Sequence, residues 1–221
     1  ISHPYCKAVV ALTDDNAINL HIAITAKVMN PDTNVICRAD SSNIEDNMLS
    51  FGTDHIINPY RTFARQLVLA AKSPSQYALN EWFRSALDEP LPSKVKIAKG
   101  RWIICGYGRF GRAIYEELLS HGLTAQIIEP DTSTLDMPEN TIIGDGTGVS
   151  TLKEANVSEA IGIIAGSNDD SNNLSIIVTA RLLNPDLFVI IRQNKQSNAD
   201  LFRQSKADIV MESGNVIAKN I

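Results

Sequence analysis

An internal repeat constrains this chain before anything else does. Asn30-Pro31-Asp32 returns as Asn184-Pro185-Asp186, an offset of 154 (184 minus 30), and the surrounding residues stay in register without a gap. Ala11, Asp15, Asn19, Leu20, Ile22, Thr25, Ala26, Val35, Ile36, Arg38, Asp46 and Asp54 fall on Ala165, Asp169, Asn173, Leu174, Ile176, Thr179, Ala180, Val189, Ile190, Arg192, Asp200 and Asp208. Roughly fifteen identities in roughly fifty ungapped residues are too many for chance, so both stretches must build the same unit. The second copy is preceded by a glycine-rich turn and more α/β sequence, whereas the first begins almost at residue 1. One unit is whole and the other is headless.

Apolar runs alternate with helix-periodic segments through both copies. In the first, Lys7 to Leu12 reads as a buried strand, Asp14-Asp15-Asn16 opens a helix reaching about Met29, Asn34 to Arg38 is a strand, Asn43 to Ser50 a helix and His55 to Ile57 a short strand. The second copy matches with strand Ile161 to Ala165, helix Asp169 to Leu183, strand Leu187 to Arg192, helix Asn198 to Gln204 and strand Asp208 to Met211. Strands alternating with helices predict an α/β fold, a Rossmann-like parallel sheet with helices on both faces. It would comprise one complete copy plus the C-terminal half of another.

Different material lies between the copies. Tyr60, Phe63, Ala64, Leu67, Val68 and Ala71 share one helical face, Ser73-Pro74 restarts the chain, and Tyr77, Ala78, Leu79, Trp82, Phe83, Ala86 and Leu87 mark a second helix. A hairpin this apolar must bury its surface, either in an interdomain or intersubunit contact or on its own domain. Asp88 to Ser93, with Pro90 and Pro92, reads as a linker. The expected organisation is therefore residues 1–58 as the second half of a first unit, 59–93 as hairpin and linker, and 94–221 as a complete domain.

Composition excludes several classes. A net charge of −5 offers no basic face to nucleic acid, and the clustered Lys94, Lys96, Lys99 and Arg101 read as a solvated linker. No run approaches the roughly 18 apolar residues that span a bilayer, so this segment does not insert by itself. Cys6, Cys37 and Cys105 sit apart in apolar runs and read as reduced core thiols. The four histidines have no partner at ligand spacing, so no metal site is expected.

The chemistry concentrates after Arg101 to Cys105. This apolar strand runs into Gly106-Tyr107-Gly108-Arg109-Phe110-Gly111, followed by a helix face of Ile114, Tyr115, Leu118 and Leu119 that stops at His121-Gly122. Strand, glycine turn and helix together form the context of a dinucleotide site. Gly106 permits the tight turn, Gly108 lets backbone approach a pyrophosphate, Gly111 lets helix and strand pack closely, and the helix N-terminus favours phosphate. All six turn residues, Tyr107 and Phe110 included, are candidate contacts. Arg109 reads as a phosphate ligand, with a plain surface charge as the alternative.

The strand Ala125 to Ile128 ends at Glu129, about 18 residues past the last glycine, where a carboxylate accepts hydrogen bonds from ribose hydroxyls and disfavours NADP. The strand Thr141 to Ile143 meets Gly144-Asp145-Gly146-Thr147. There Gly146 leaves room for a ligand, and Asp145 either edges the adenine pocket or caps a short helix beginning near Thr151. Ala165-Gly166-Ser167 ends the next strand against the phosphates or the distal half of a dinucleotide. Arg192 lines the same crevice or pairs with a helix carboxylate.

With Asn168-Asp169-Asp170-Ser171-Asn172-Asn173-Leu174 added to these motifs, the chain resembles the TrkA-N or KTN domains that regulate conductance of K⁺. The resemblance covers Lys99 to about Met211 as a full domain and Ala8 to Ile56 as the second half of another. It implies a cytoplasmic nucleotide sensor at the inner face of the cell membrane, attached to the pore of a potassium channel or transporter. NAD(H) is the first ligand it implies, with ATP, ADP or AMP also open. It further implies a homo-dimer or larger ring paired through the 60–87 hairpin. No enzyme activity is expected, because no Tyr-x-x-x-Lys or placed histidine accompanies the turn. An NAD-dependent oxidoreductase and a nucleotide-free assembly module are the rival classes. The headless first copy also leads us to expect that this is the cytoplasmic portion of a longer protein, and that a partner or missing segment covers its first strand edge.

Overall fold

The computed structural model describes residues 5–84, 100–133 and 136–221. It divides into two compact units, Ile1–Thr62 with Gly214–Ile221, and Phe63–Ser213. The linker expected at 88–93, Lys94, Lys96, Lys99 and the last predicted turn of the hairpin lie outside the described residues.

The first unit holds β1 (Ala8–Ala11), α1 (Asn16–Met29), β2 (Asn34–Arg38), α2 (Ser42–Ser50) and β3 (His55–Ile57). Its sheet is parallel in the order β1-β2-β3. Ala11, Ala23, Ala26, Val35, Cys37, Ala39 and Met48 form the core. The division between the units falls inside α3 (Pro59–Lys72), which is followed by α4 (Pro74–Arg84). From Phe63 onward α3 belongs to the second unit, where the Phe63 ring lies 5.7 Å from that of Phe110.

The second unit continues with β4 (Arg101–Cys105), α5 (Arg109–Ser120), β5 (Thr124–Glu129), β6 (Ile142–Ile143), α6 (Val149–Glu154), β7 (Gly162–Ala165), α7 (Asp170–Leu183), β8 (Phe188–Gln193), α8 (Ala199–Gln204) and β9 (Ile209–Glu212); α9 (Ser213–Ala218) follows, and from Gly214 onward the chain belongs to the first unit. All six strands are parallel in the order β6-β5-β4-β7-β8-β9. From β4 the chain first moves one way along the sheet and later, from β7, the other way. Right-handed crossovers then put α5 and α7 on opposite faces, and a crevice opens at the carboxyl ends of β4 and β7, where the direction reverses.

The repeat is structural down to its register. Val9 pairs with Val35 and Ile36 with His55, just as Ile163 pairs with Val189 and Ile190 with Ile209, all at the same offset of 154 (163 minus 9). The Asn-Pro-Asp tripeptide is a helix stop. Asn30 and Asn184 cap α1 and α7 in extended conformation, the backbone a following proline demands. Each Asn side chain then accepts the Asp N–H two residues on, at 3.2 Å. At the other end Asp15 accepts from Ala17 and Ile18, and Asp169 from Asn172, satisfying first-turn donors.

Two local expectations need correction. Arg101 is not linker: it opens β4 and donates to the carbonyls of Ala155 and Asn156 at the end of α6. The helix expected to begin near Thr151 starts at Val149, because Gly148 already takes the capping position.

Candidate functional site

The glycine turn grows out of the carboxyl end of β4. Gly106 N–H donates to the Ile128 carbonyl, and the residue has φ +99°, which a side chain rarely tolerates. A Cβ on Gly111 would stand 1.9 Å from the Gly106 carbonyl oxygen, so α5 can approach the turn only because nothing is there. Gly108 differs from both. Its backbone is extended (φ −72°, ψ −168°), and a Cβ there would meet no atom within 4 Å. The space beside it is open. Gly108 is also the N-cap of α5 and brings no side chain to its first turn.

Glu129 reaches the turn from the end of β5. Its buried carboxylate accepts the Tyr107 N–H at 2.5 Å on one oxygen and the Asp131 N–H at 3.0 Å on the other. It thus fixes the turn and the β5 loop together, and a carboxylate of roughly four acceptor positions retains capacity for further donors. Tyr107 and Phe110 have their side chains buried, so only their backbone borders the open space. Tyr107 packs edge-on against Tyr115 at 5.8 Å, with the Arg112 guanidinium 5.1 Å from its ring centre. Arg112 in turn stands 3.6 Å from Asp136. Arg109 is exposed as the first residue of α5.

The loops after β6 and β7 complete the rim. A Cβ on Gly146 would lie 2.9 Å from Cys105 Sγ, so the missing side chain serves packing of this loop on β4. Asp145 does not cap α6; it accepts the Thr147 N–H at 2.9 Å within its own turn. Burial, with Asp145 nearby, pushes the Cys105 thiol up to about 12 and leaves it unreactive. Ala165 is buried at the end of β7, and a Cβ on Gly166 would reach Phe110 at 3.0 Å and the Cys105 carbonyl oxygen at 3.4 Å. The Ser167 N–H and carbonyl are both taken by the fully buried Asn173 amide, which also donates to the Arg192 carbonyl.

Arg192 donates to Asn168 Oδ1 at 2.8 Å, and its guanidinium stands 6.0 Å from the Phe110 ring centre. Asn168, the acceptor, is a loop amide. In the first unit the twin Arg38 pairs instead with the Asp14 carboxylate. Gly106, Tyr107, Gly108, Arg109, Phe110, Gly111, Glu129, Gly166, Ser167 and Arg192 therefore surround the carboxyl ends of β4 and β7. Asp145 and Gly146 border them through Cys105, and Ala165 sits beneath. Asn173, Asp170 and Asn194 also work here, in roles that the motifs do not assign to them. The first of these was legible, since Asn19 repeats it with the same bonds to Thr13 and Arg38.

A model of the TrkA-N domain matches residues 4–59 and 102–213. Potassium channel protein 1 of Methanocaldococcus jannaschii is 31% identical over 121 residues, 52% of this chain and 36% of that protein. The Trk system potassium uptake protein TrkA homolog of Methanothermobacter thermautotrophicus is 33% identical over 99 residues, 38% of this chain and 46% of that protein. The chain thus spans less than half the length of either relative. Among solved structures, the GsuK RCK domain superposes with a TM-score of 0.74 at 17% identity, covering 97% of this chain and 60% of that one. The GsuK channel bound to NAD gives 0.76 at 16%, covering 97% and 50%. At such identities the likeness speaks for the fold.

Proposed function

Because the chain belongs to the TrkA-N domain family, we propose that its second unit is a nucleotide-binding regulatory module of a potassium channel or K⁺ uptake system. The carrying observation is the open space beside Gly108, bordered by a helix N-terminus and by the Glu129 carboxylate. Backbone at Gly108 and the first turn of α5 would cradle a pyrophosphate, and Arg109 would pair with its oxygens. Glu129 would accept from the ribose hydroxyls, which suits NAD(H) first and ATP, ADP or AMP as well. We assign Asp145, Gly146, Ala165, Gly166, Ser167 and Arg192 to the walls of this site. The relatives' names, a potassium channel protein and a potassium uptake protein, support the choice of system.

On this reading residues 1–58 are the second half of a first unit, 59–93 a pairing hairpin with its linker, and 94–221 the nucleotide domain. The module works in the cytoplasm at the inner face of the cell membrane, beside the pore it controls. Among the described residues no helix is long and apolar enough to cross a membrane. Regulation requires that the ligand bind two geometries unequally, since equal affinity shifts nothing. The module binds and transmits; it does not catalyse.

Titration calorimetry and thermal melts with NAD⁺, NADH, NADPH, ATP, ADP and AMP test the proposal. At about 100 times its dissociation constant a ligand adds about 2.7 kcal/mol. We expect such a shift with NAD(H) or an adenine nucleotide, weaker binding of NADPH, and one ligand per chain. No response to any of them, or turnover of NADH with small carbonyl compounds, would overturn it.

A further inference from the structure

Asp170 opens α7 one residue after its cap and is buried, yet its carboxylate accepts four hydrogen bonds. One oxygen accepts the Asn194 backbone N–H at 2.7 Å and its side-chain amide at 2.9 Å; the other accepts the Lys195 N–H at 3.1 Å and the Asn198 amide at 2.7 Å. Desolvation works against the charge, but these four donors outweigh it and hold the carboxyl below its ordinary range. The Asn194 amide also donates to the Ser167 carbonyl at 3.1 Å. One charge therefore joins the start of α7, the turn after β8 and the loop after β7. All of these lie at the carboxyl end of the sheet, where Ser167 and Arg192 stand.

The repeat supplies a second observation. Asp170 corresponds to Asn16 and Asn194 to Asp40, at the shared offset (170 minus 16 and 194 minus 40 are both 154). Asn16 donates to Asp40, so the first unit makes the same bridge with carboxylate and amide exchanged. Two independent solutions to one contact indicate that the bridge, rather than either residue alone, is what the fold requires.

We propose that Asp170 is a positioning residue of the nucleotide site, its carboxylate clamping Asn194 so that the Gly166–Ser167 loop and Arg192 hold the far wall of the crevice in binding geometry. This rests on the nucleotide reading given above. In Asp170→Asn a single amide oxygen replaces two acceptor oxygens, and the new NH₂ faces two donors. Asn194→Asp sets two carboxylates against each other. The double exchange rebuilds the Asn16–Asp40 pair, though not the acceptor for the Asn198 amide, whose counterpart in the first copy is Ile44.

Calorimetry with NAD⁺, NADH, AMP, ADP and ATP on the 221-residue chain, with amide hydrogen exchange read at Ser167, tests the clamp. Each single variant should lose about tenfold in affinity and exchange faster at Ser167, while the double variant regains part of both losses. Parental affinity in Asp170→Asn, or a double variant no better than the singles, overturns the proposal. If the parent binds none of the five nucleotides, the nucleotide reading has failed separately. Exchange at Ser167 then decides the clamp: faster in Asp170→Asn supports it, and unchanged exchange refutes it.

Discussion

Three glycines within six residues carry three different physical demands, and substitution separates them. Gly111 has no room for even a methyl group, because the Gly106 carbonyl oxygen would be 1.9 Å away. A Cβ on Gly108 would meet nothing within 4 Å, and the backbone conformation there is ordinary. Gly108→Val should therefore melt within about 1 kcal/mol of the parent yet bind no nucleotide, whereas Gly111→Ala should lose several-fold more stability, about 3 kcal/mol or above. Parental affinity in Gly108→Val, measured calorimetrically, would remove the pyrophosphate from that place. The spacing of these glycines was readable in advance; the inward turn of Phe110 was not. A glycine pattern states what the backbone must do, but whether its neighbour faces ligand or core depends on Phe63 and Gly166, which come from distant parts of the chain.

At the scale of elements, the repeat explains which residues brace the strands. Asp54 accepts the Val35 N–H at 2.7 Å and pairs with Lys27 at 2.8 Å, tying the end of α1 to the start of β2. Asp208 does the same for Val189, with Arg181 in place of Lys27. The Lys27 hydrogen bond first, and then the Val35 N–H, holds the Asp54 carboxyl below its usual range. A depressed pKa in the folded state contributes stability that is complete above the unfolded value of about 3.9 and disappears as pH falls through the folded one. Urea melts of the parent and Asp54→Asn should differ most near neutral pH and converge below about pH 4. A gap that persists unchanged at pH 3 would mean the charge contributes nothing. The identity of Asp54 with Asp208 was visible in the alignment, but its role was not, because its backbone partner lies 19 residues away across a sheet.

For the whole molecule, the asymmetry between the units is the informative property. β7 is paired on both sides, by β4 and β8, whereas among the described residues its twin β1 is paired only by β2. The glycine turn belongs to the second unit, which is why a nucleotide is expected there. Assembly is the other question at this scale. Leu79 and Trp82 are both about half exposed on α4, and apolar side chains so placed fit a pairing surface. Light scattering behind size exclusion should give a dimer or larger for the parent and a smaller mass for Leu79→Glu with Trp82→Glu. A parent already monomeric at tens of micromolar, or a mass the changes leave alone, would remove the hairpin from that role.

Sequence alone determined the repeat, its offset, the α/β alternation, the helix stops at Asn-Pro-Asp and the place of the glycine turn. Each of these is written in local chemistry: proline restricts the residue before it, glycine relieves it, and side-chain periodicity follows from backbone geometry. Tertiary structure decided what local chemistry cannot reach. It set Glu129 on the Tyr107 N–H, turned Arg192 toward Asn168, filled the space at Gly146 with Cys105, and gathered four donors onto Asp170. Those contacts join residues separated by tens of positions, and only the parallel pairing of the strands brings their carboxyl ends together.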